Sequence, residues 1–490
     1  MVVLPGAASP WIKIDRIWGR HKMGNFGFKN ASKRKTIDLM EYLCYGLGDF
    51  SFCFIYGAIG SYIVFFYTDV ACISAATVGT VLLVSKIFDG ISDMMMGYII
   101  ENVHSPLGKA RPWLLWMVIP YCIGCVLLFT VPDFSETGKV IYAFISYNLM
   151  ATCIFTSMNV PYGVLSSVMT NKQNERALLS ISRASLGALG VFVISSYAPD
   201  LVEKFGGGSA GWQKTFLLVG IVSIGLFLIT FFGCKERVGS GVMEQKTGKK
   251  SSLSLLQGVK ILFANKYWFI MLMVNIFYTA MTSLYGMNMY FAKYVMQDAG
   301  YNKTMMMCST FASILVPLLL IPVVQRIGKR NVALYGGAGM GIAGQVVLIL
   351  FAEQSMGLMY LGLILRGMGV ACISATKFGM IADSIEYGEY KTGTRAEGFV
   401  YSAASLGVRV GSALASAVIG WVLGAYGYDG KLAVQSETAM KGIRIMFYYA
   451  PLAVFIAILA LLLFYKLDRE YDGIMKVLDE RHKLAEQANA

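Results

Sequence analysis

The chain has 490 residues, of which 56% are hydrophobic and only 14% charged, too little charge to cover a soluble globule of this size. The net charge of +13 does not point to nucleic acid, because the basic residues sit in tails and alternate loops rather than on one folded face. Apolar runs of about 20 residues recur, each long enough to cross a hydrocarbon core, and no barrel-type alternation accompanies them. The composition therefore predicts an all-α polytopic membrane protein.

Taken in order, residues 1–41 form a basic tail without the apolar core or cleavage site of a signal peptide, and read as cytoplasmic and disordered. Twelve spans follow, at about 43–67, 74–100, 112–132, 139–168, 178–201, 213–234, 267–294, 304–325, 331–352, 357–384, 396–426 and 441–466. Cys122 and Cys125 lie in the third span without a second ligand pair and read as small buried apolar residues. Lys109, Arg111, Lys172, Arg176, Lys249, Lys329, Arg330, Lys391 and Arg395 fall in or beside every second loop, which predicts that those loops and both termini are cytoplasmic.

Residues 235–266 form a polar linker between bundles at 42–234 and 267–467, and its stretch 253–263 has the spacing of a helix along the inner membrane surface. The tail 468–490 mixes charges of both signs and predicts a solvated helix or disorder. An internal repeat supports the division. Gly108-Lys109 recurs as Gly328-Lys329, and Ser182 to Gly187 recurs as Ser402 to Gly407, both at an offset of 220 residues, while Tyr162-Gly163 is echoed by Phe378-Gly379 at 216. Two six-helix pseudo-symmetric halves about an axis along the membrane normal describe a major facilitator fold, with substrate between the halves near midplane.

Ionisable residues within spans are costly, about 2.5–3.5 kcal/mol at the centre on insertion scales, so each is a candidate. Asp89, Ser92 and Asp93 share one face of the second span, so that they either converge on a small cation or pair structurally with Lys86. Thr156, Asn159 and Gly163 share a face of the fourth; the amide suits a sugar hydroxyl or equally a neighbouring helix. Arg183 and Arg409 each need an anionic or polyhydroxyl partner and lie beside the two copies of the repeated motif, the second of which holds Ser405. Asp49, with Cys53 one turn on, completes this set. Asp383, Glu386, Glu389 and Arg395, with Arg176 at the matching edge of the other half, form either a closable inner gate or a solvated loop.

Tyr45 to Phe50, Phe65 to Val70, Asp89 to Asp93, Gly108 to Trp113, Asn159 to Gly163 and Ala382 to Glu389 together resemble the glycoside–pentoside–hexuronide:cation symporters over about residues 42–467. The resemblance implies a membrane transporter, not an enzyme, that imports a sugar with Na⁺, H⁺ or Li⁺ across a bacterial inner membrane as a monomer and needs no other cofactor. Position by position it assigns Asp89, Asp93, Ser92 and Thr156 to the cation, with Asp89 and Asp93 as Na⁺ ligands if sodium couples. It assigns Asp49, Cys53, Asn159, Tyr162, Gly163, Arg183, Ser405 and Arg409 to the sugar side. Where melibiose-type members carry sugar-binding aspartates and a stacking tryptophan, this chain has Cys53, Asn159 and Gly163. Loss of two carboxylates with two cations retained predicts a more positive pocket, and hence a hexuronide or glucuronide ahead of a neutral pentoside or other glycoside. Alternatives are a Na⁺-coupled carrier of a lysolipid and, with no nucleophile–base set and only three histidines, a membrane sugar sensor rather than an enzyme.

Overall fold

In lipid every backbone N–H and C=O must be satisfied inside its own element, so each apolar run closes into a helix. The computed structural model describes residues 37–102, 105, 107–170, 172–237, 262–393 and 397–489. The helices are α1 (Leu39–Val70), α2 (Ala75–Asn102), α3 (Arg111–Trp116 and Val118–Leu128, broken at Met117), α4 (Glu136–Met169), α5 (Gln173–Lys204) and α6 (Gly208–Gly233). The second half has α7 (Lys266–Val295), α8 (Tyr301–Ile327), α9 (Lys329–Phe351), α10 (Met356–Thr392), α11 (Glu397–Ala425) and α12 (Glu437–Arg444 continuing to Ala450–Phe464), followed by α13 (Leu467–Asn489). Ten of the described helices are long and apolar enough to cross a membrane. The broken α3 and the 27-residue α8 occupy the places of the third and eighth expected spans. The tail 1–36 and most of the linker, including its expected surface helix, lie outside the described residues.

Local chemistry sets the ends. Ser135, Asn265 and Ser436 cap α4, α7 and α12 by accepting from the N–H of Gly138, Trp268 and Ala439, and Gly393 ends α10 in a left-handed conformation at φ 68°. α10 runs well past the expected 384 because its polar extension is covered by α13. There Tyr471 donates to Glu386 at 3.3 Å, Arg481 donates to the Tyr390 carbonyl at 3.0 Å, and Leu467, Ile474 and Leu478 are buried. Of the two expectations for this tail, a solvated helix or disorder, the helix is what forms, and it is docked on one face rather than solvated all round, its apolar residues recurring at helical spacing.

The repeat has a structural meaning in two places. Gly108 and Gly328 both adopt positive φ, at 111° and 84°, and each turn is clamped by an acid that follows its half's last span. Glu236 accepts from the backbone N–H of Lys109, Ala110 and Arg111 at 2.8–2.9 Å, and Asp468 accepts from that of Arg330 at 3.0 Å. The Ser-Leu-Gly motif is a packing device. A Cβ on Gly187 would run into the Asp49 carboxylate and one on its counterpart Gly407 would stand 3.0 Å from the Leu272 side chain, and Gly411, one turn on, faces the Ile276 backbone, so these glycines let α5 close on α1 and α11 close on α7.

Between the halves α2 packs on α11 and α5 on α8. Bonds joining them cluster at the end that bears the loops after α1, α3, α5, α7, α9 and α11. There the Asp69 side chain, 1% exposed, accepts from Lys293 at 2.6 Å, Tyr294 and Tyr428 at 2.5 Å and Thr68 at 2.8 Å. Lys303 with Asp200 at 2.6 Å and Lys431 with Glu136 at 3.1 Å add two further ties. Asp69→Ala removes the one acceptor shared by these donors and shifts the population toward opening at this end. Spin labels in the loops after α3 and α11 are expected to show longer distances in that variant; an unchanged distribution would mean that the cluster is not a closure.

Candidate substrate and cation site

A cavity of about 380 Å³ lies between the halves, and the acids singled out in the sequence line it. α1 contributes Asp49, Cys53 and Tyr56; α2 contributes Lys86, Asp89 and Asp93. α4 adds Tyr147, Ala151, Phe155 and Asn159, α5 adds Arg183, and α11 adds Val408, Arg409 and Ser412.

Asp89 and Asp93 project from one face of α2 toward α4, where hydroxyls meet them. Thr152 donates to Asp89 at 2.5 Å and Thr156 donates to Asp93 at 3.0 Å. Asp89 is 4% exposed, with Lys86 on its other oxygen at 3.7 Å, so the acid pairs with Lys86 while still facing the cavity. The second partner comes from the other half. Arg409 places its guanidinium on the Asp93 carboxylate and stands 3.9 Å from Asp89, so one cation of α11 occupies the space between both acids. Two carboxylates and two threonine hydroxyls are hard oxygen donors of the kind that hold a small cation. Ser92 instead donates to the Thr152 carbonyl at 2.6 Å, fastening α2 to α4.

On the other wall Arg183 donates to Asp49 at 2.8 Å, Cys53 donates to the second Asp49 oxygen at 3.7 Å, and the guanidinium lies 5.0 Å from the Tyr162 ring. Tyr162 does not line the cavity. It is buried, stacks on Tyr45 with centroids 4.6 Å apart, and the two tyrosines donate to each other's backbone carbonyls, so it supports Arg183 from behind. Gly163 also lies behind Arg183, where a Cβ would stand 3.9 Å from that side chain. Asn159 faces the cavity with no hydrogen-bond partner among the described residues and is free for a sugar hydroxyl. Ser405 belongs to α11, outside the described side chains, and Arg395 lies outside the described residues.

Among the described residues expected at an inner gate, Asp383 and Arg176 have partners within their own halves, and Glu386 has one in the tail helix. Lys329 donates to both Asp383 oxygens at 2.7 and 2.8 Å, Arg176 donates to the Thr170 and Ser167 carbonyls, and Glu386 accepts from Tyr471. Glu389 is buried near the end of α10.

Sequence reasoning missed the aromatic wall. Tyr147, Ala151, Phe155 and Asn159 follow i, i+4 spacing, a ladder visible in the sequence, but Asn148–Ile154 is a π-helical stretch that rotates α4 and changes which residues share a face with Asn159. Three carboxylates, Asp49, Asp89 and Asp93, line the cavity against three cations, Lys86, Arg183 and Arg409. The lining is therefore formally balanced, Asp89 and Asp93 against Arg183 and Arg409, and Asp49 against Lys86.

Helices arranged in two repeated halves around a central charged cavity define a membrane transporter of the major facilitator fold. The sequence profile of the MFS/sugar transport protein family matches residues 44–469, and the chain belongs to that family. It is a sugar transporter rather than an enzyme, within the glycoside–pentoside–hexuronide symporter group. It is 34% identical over 464 residues to the isoprimeverose transporter of Lactiplantibacillus pentosus, covering 92% of this chain and 93% of that one. To the glucuronide carrier protein homolog of Escherichia coli strain K12 it is 29% identical over 457 residues, covering 90% and 96%. The inward-open xylose transporter XylE from E. coli superposes with a TM-score of 0.57 at 14% identity, over 87% of this chain and 95% of that one, a likeness of fold alone.

If Arg409 occupies the place of a small cation, shortening it to a neutral side chain vacates that place. Arg409→Gln is expected to tighten Na⁺ or Li⁺ binding by about 10-fold, equivalent to about 1.4 kcal/mol, in calorimetry on the purified protein. Equal affinity in both proteins would show that the guanidinium and the ion do not compete.

Proposed function

We propose that the protein is a symporter that imports a glycoside, a hexuronide ahead of a pentoside, together with Na⁺, H⁺ or Li⁺ by alternating access. The observation that carries this reading is Arg409 lying on the acids best suited to hold the ion. An ion or proton at Asp93 displaces the guanidinium, and the displaced arm becomes available to the sugar. Each ligand then favours the arrangement that the other needs, which is the thermodynamic content of coupling.

Charge arithmetic supports an acidic cargo. The balanced cavity gains one positive charge with the coupling ion, and a monoanionic hexuronide returns it to neutrality before the complex is enclosed. A second reading, a neutral pentose-containing glycoside, is favoured by the likeness to the isoprimeverose transporter. The cavity of about 380 Å³ suits a mono- or disaccharide better than a lysolipid.

Orientation follows from the basic residues in the even-numbered loops, which put those loops and both termini in the cytoplasm of a bacterial inner membrane. The end tied by Asp69 then faces outward, and the conformation is closed to the outside.

Proteoliposomes with imposed Na⁺ or H⁺ gradients test this against a panel of glucuronides, xylosides and glucosides. Wild type is expected to accumulate a glucuronide under one of the gradients, and Asp93→Cys is expected to lose gradient-driven accumulation. Unchanged accumulation in the variant would overturn the cation site, and strong preference for neutral disaccharides would overturn the acidic cargo.

A further inference from the structure

Two cations lie inside the second half with no carboxylate against them among the described residues. Arg366, 1% exposed, is held by Asn288 at 3.2 Å and Ser309 at 3.4 Å and ties α10 to α7 and α8. Lys377 is different. It is 6% exposed, and its ammonium has one hydrogen-bond acceptor, the Asn275 amide oxygen at 3.3 Å, with the Tyr278 ring 3.7 Å and the Phe378 ring 4.9 Å away. An ammonium has three donors, and one amide oxygen with two ring faces leaves it short of partners and of counter-charge.

Its place in the fold narrows what could supply them. Lys377 immediately precedes Phe378-Gly379, the counterpart in α10 of Tyr162-Gly163 in α4, the segment that carries Asn159 and backs Arg183. Asn275 is in turn fixed to α11, donating to the Ala404 carbonyl at 2.7 Å, one turn before the cavity residues Val408 and Arg409. The seam of α7 and α10 that holds Lys377 therefore packs on α11 one turn from the second half's wall of the cavity, and Lys377 itself does not line the cavity in this conformation. Arg183 is engaged by Asp49, and Arg409 on the reading above moves from Asp93 toward the sugar, whereas Lys377 has no acid against it among the described residues and can add a second cation for an acidic group.

We propose that Lys377 is the second half's anchor for the acidic group of the transported sugar, engaged as the halves close around it. The substrate class is a uronic acid glycoside, and the inference rests on the hexuronide reading above. The carboxylate completes the ammonium's donor set, while Asn275 and Tyr278 keep the side chain in place. Closure then brings the acidic cargo against a cation that neither Asp49 nor Asp93 neutralises, so a neutral sugar gains nothing from this residue.

The test compares a nitrophenyl glucuronide with the matching nitrophenyl glucoside, which differ only in the carboxylate, in proteoliposomes holding wild type, Lys377→Gln, Lys377→Met or Lys377→Arg. For Lys377→Gln the KM for the glucuronide is expected to rise by about 10-fold or more while that for the glucoside stays within about two-fold. Lys377→Arg is expected to recover most of the loss. Lys377→Met preserves the apolar stem, so loss of one neutral variant to misfolding leaves the other. An equal effect on both sugars, or on neither, with wild type carrying the glucuronide, overturns the role of Lys377 alone. Wild type that carries the glucoside and not the glucuronide overturns the hexuronide reading and this role with it.

Discussion

The contact on which the rest depends is the one Arg409 makes across the two halves, with its guanidinium on Asp93 and 3.9 Å from Asp89. A charge at membrane depth is tolerated when it is paired and hydrogen-bonded, and this arrangement supplies both from opposite bundles. The same contact makes the acids selective in an unusual sense. Anything that takes Asp93 must replace a guanidinium already there, so ion binding carries an automatic consequence for α11. Asp89, also held by Lys86 and Thr152, keeps its place when that exchange occurs.

Close helix packing delivers these groups to one place. Gly187 allows α5 to set Arg183 against Asp49, and the matching glycines of α11 seat that helix on α7 and so fix the stem from which Arg409 reaches out. At one end of the molecule Asp69 collects donors from α7 and from the loop after α11, while at the opposite end Asp383 and Arg176 bond to Lys329 and to backbone carbonyls of their own halves. Rocking of two bundles about a fixed midplane site requires bonds across an end, such as those on Asp69, to form and break in turn.

Much of this was legible in the sequence, and for identifiable reasons. Two aspartates at i, i+4 in an apolar span stand out because burying them is expensive, and they do line the cavity. The repeat was legible because the positive-φ glycines and the small residues of α5 and α11 are backbone requirements that tolerate little change. The wall of α4 was not, since a π-helical stretch shifts the face that periodicity would choose. Nor was the full charge count, since Lys86, which the sequence offers as a structural partner of Asp89, also lines the cavity with Asp49, Arg183 and Arg409. Lys377 lies in the tenth span among small and apolar residues, and its lack of an acid becomes visible once α7 is packed against it.

The central claim is that ion and guanidinium exchange at Asp93. The most direct measurement is a structure of the protein at saturating coupling cation and sugar, read at the Arg409 and Asp93 side chains. The account predicts the ion or proton on Asp93 and the guanidinium moved out of ion-pairing reach toward the sugar. An intact pair between Arg409 and Asp93 in the loaded, transport-competent protein would contradict it.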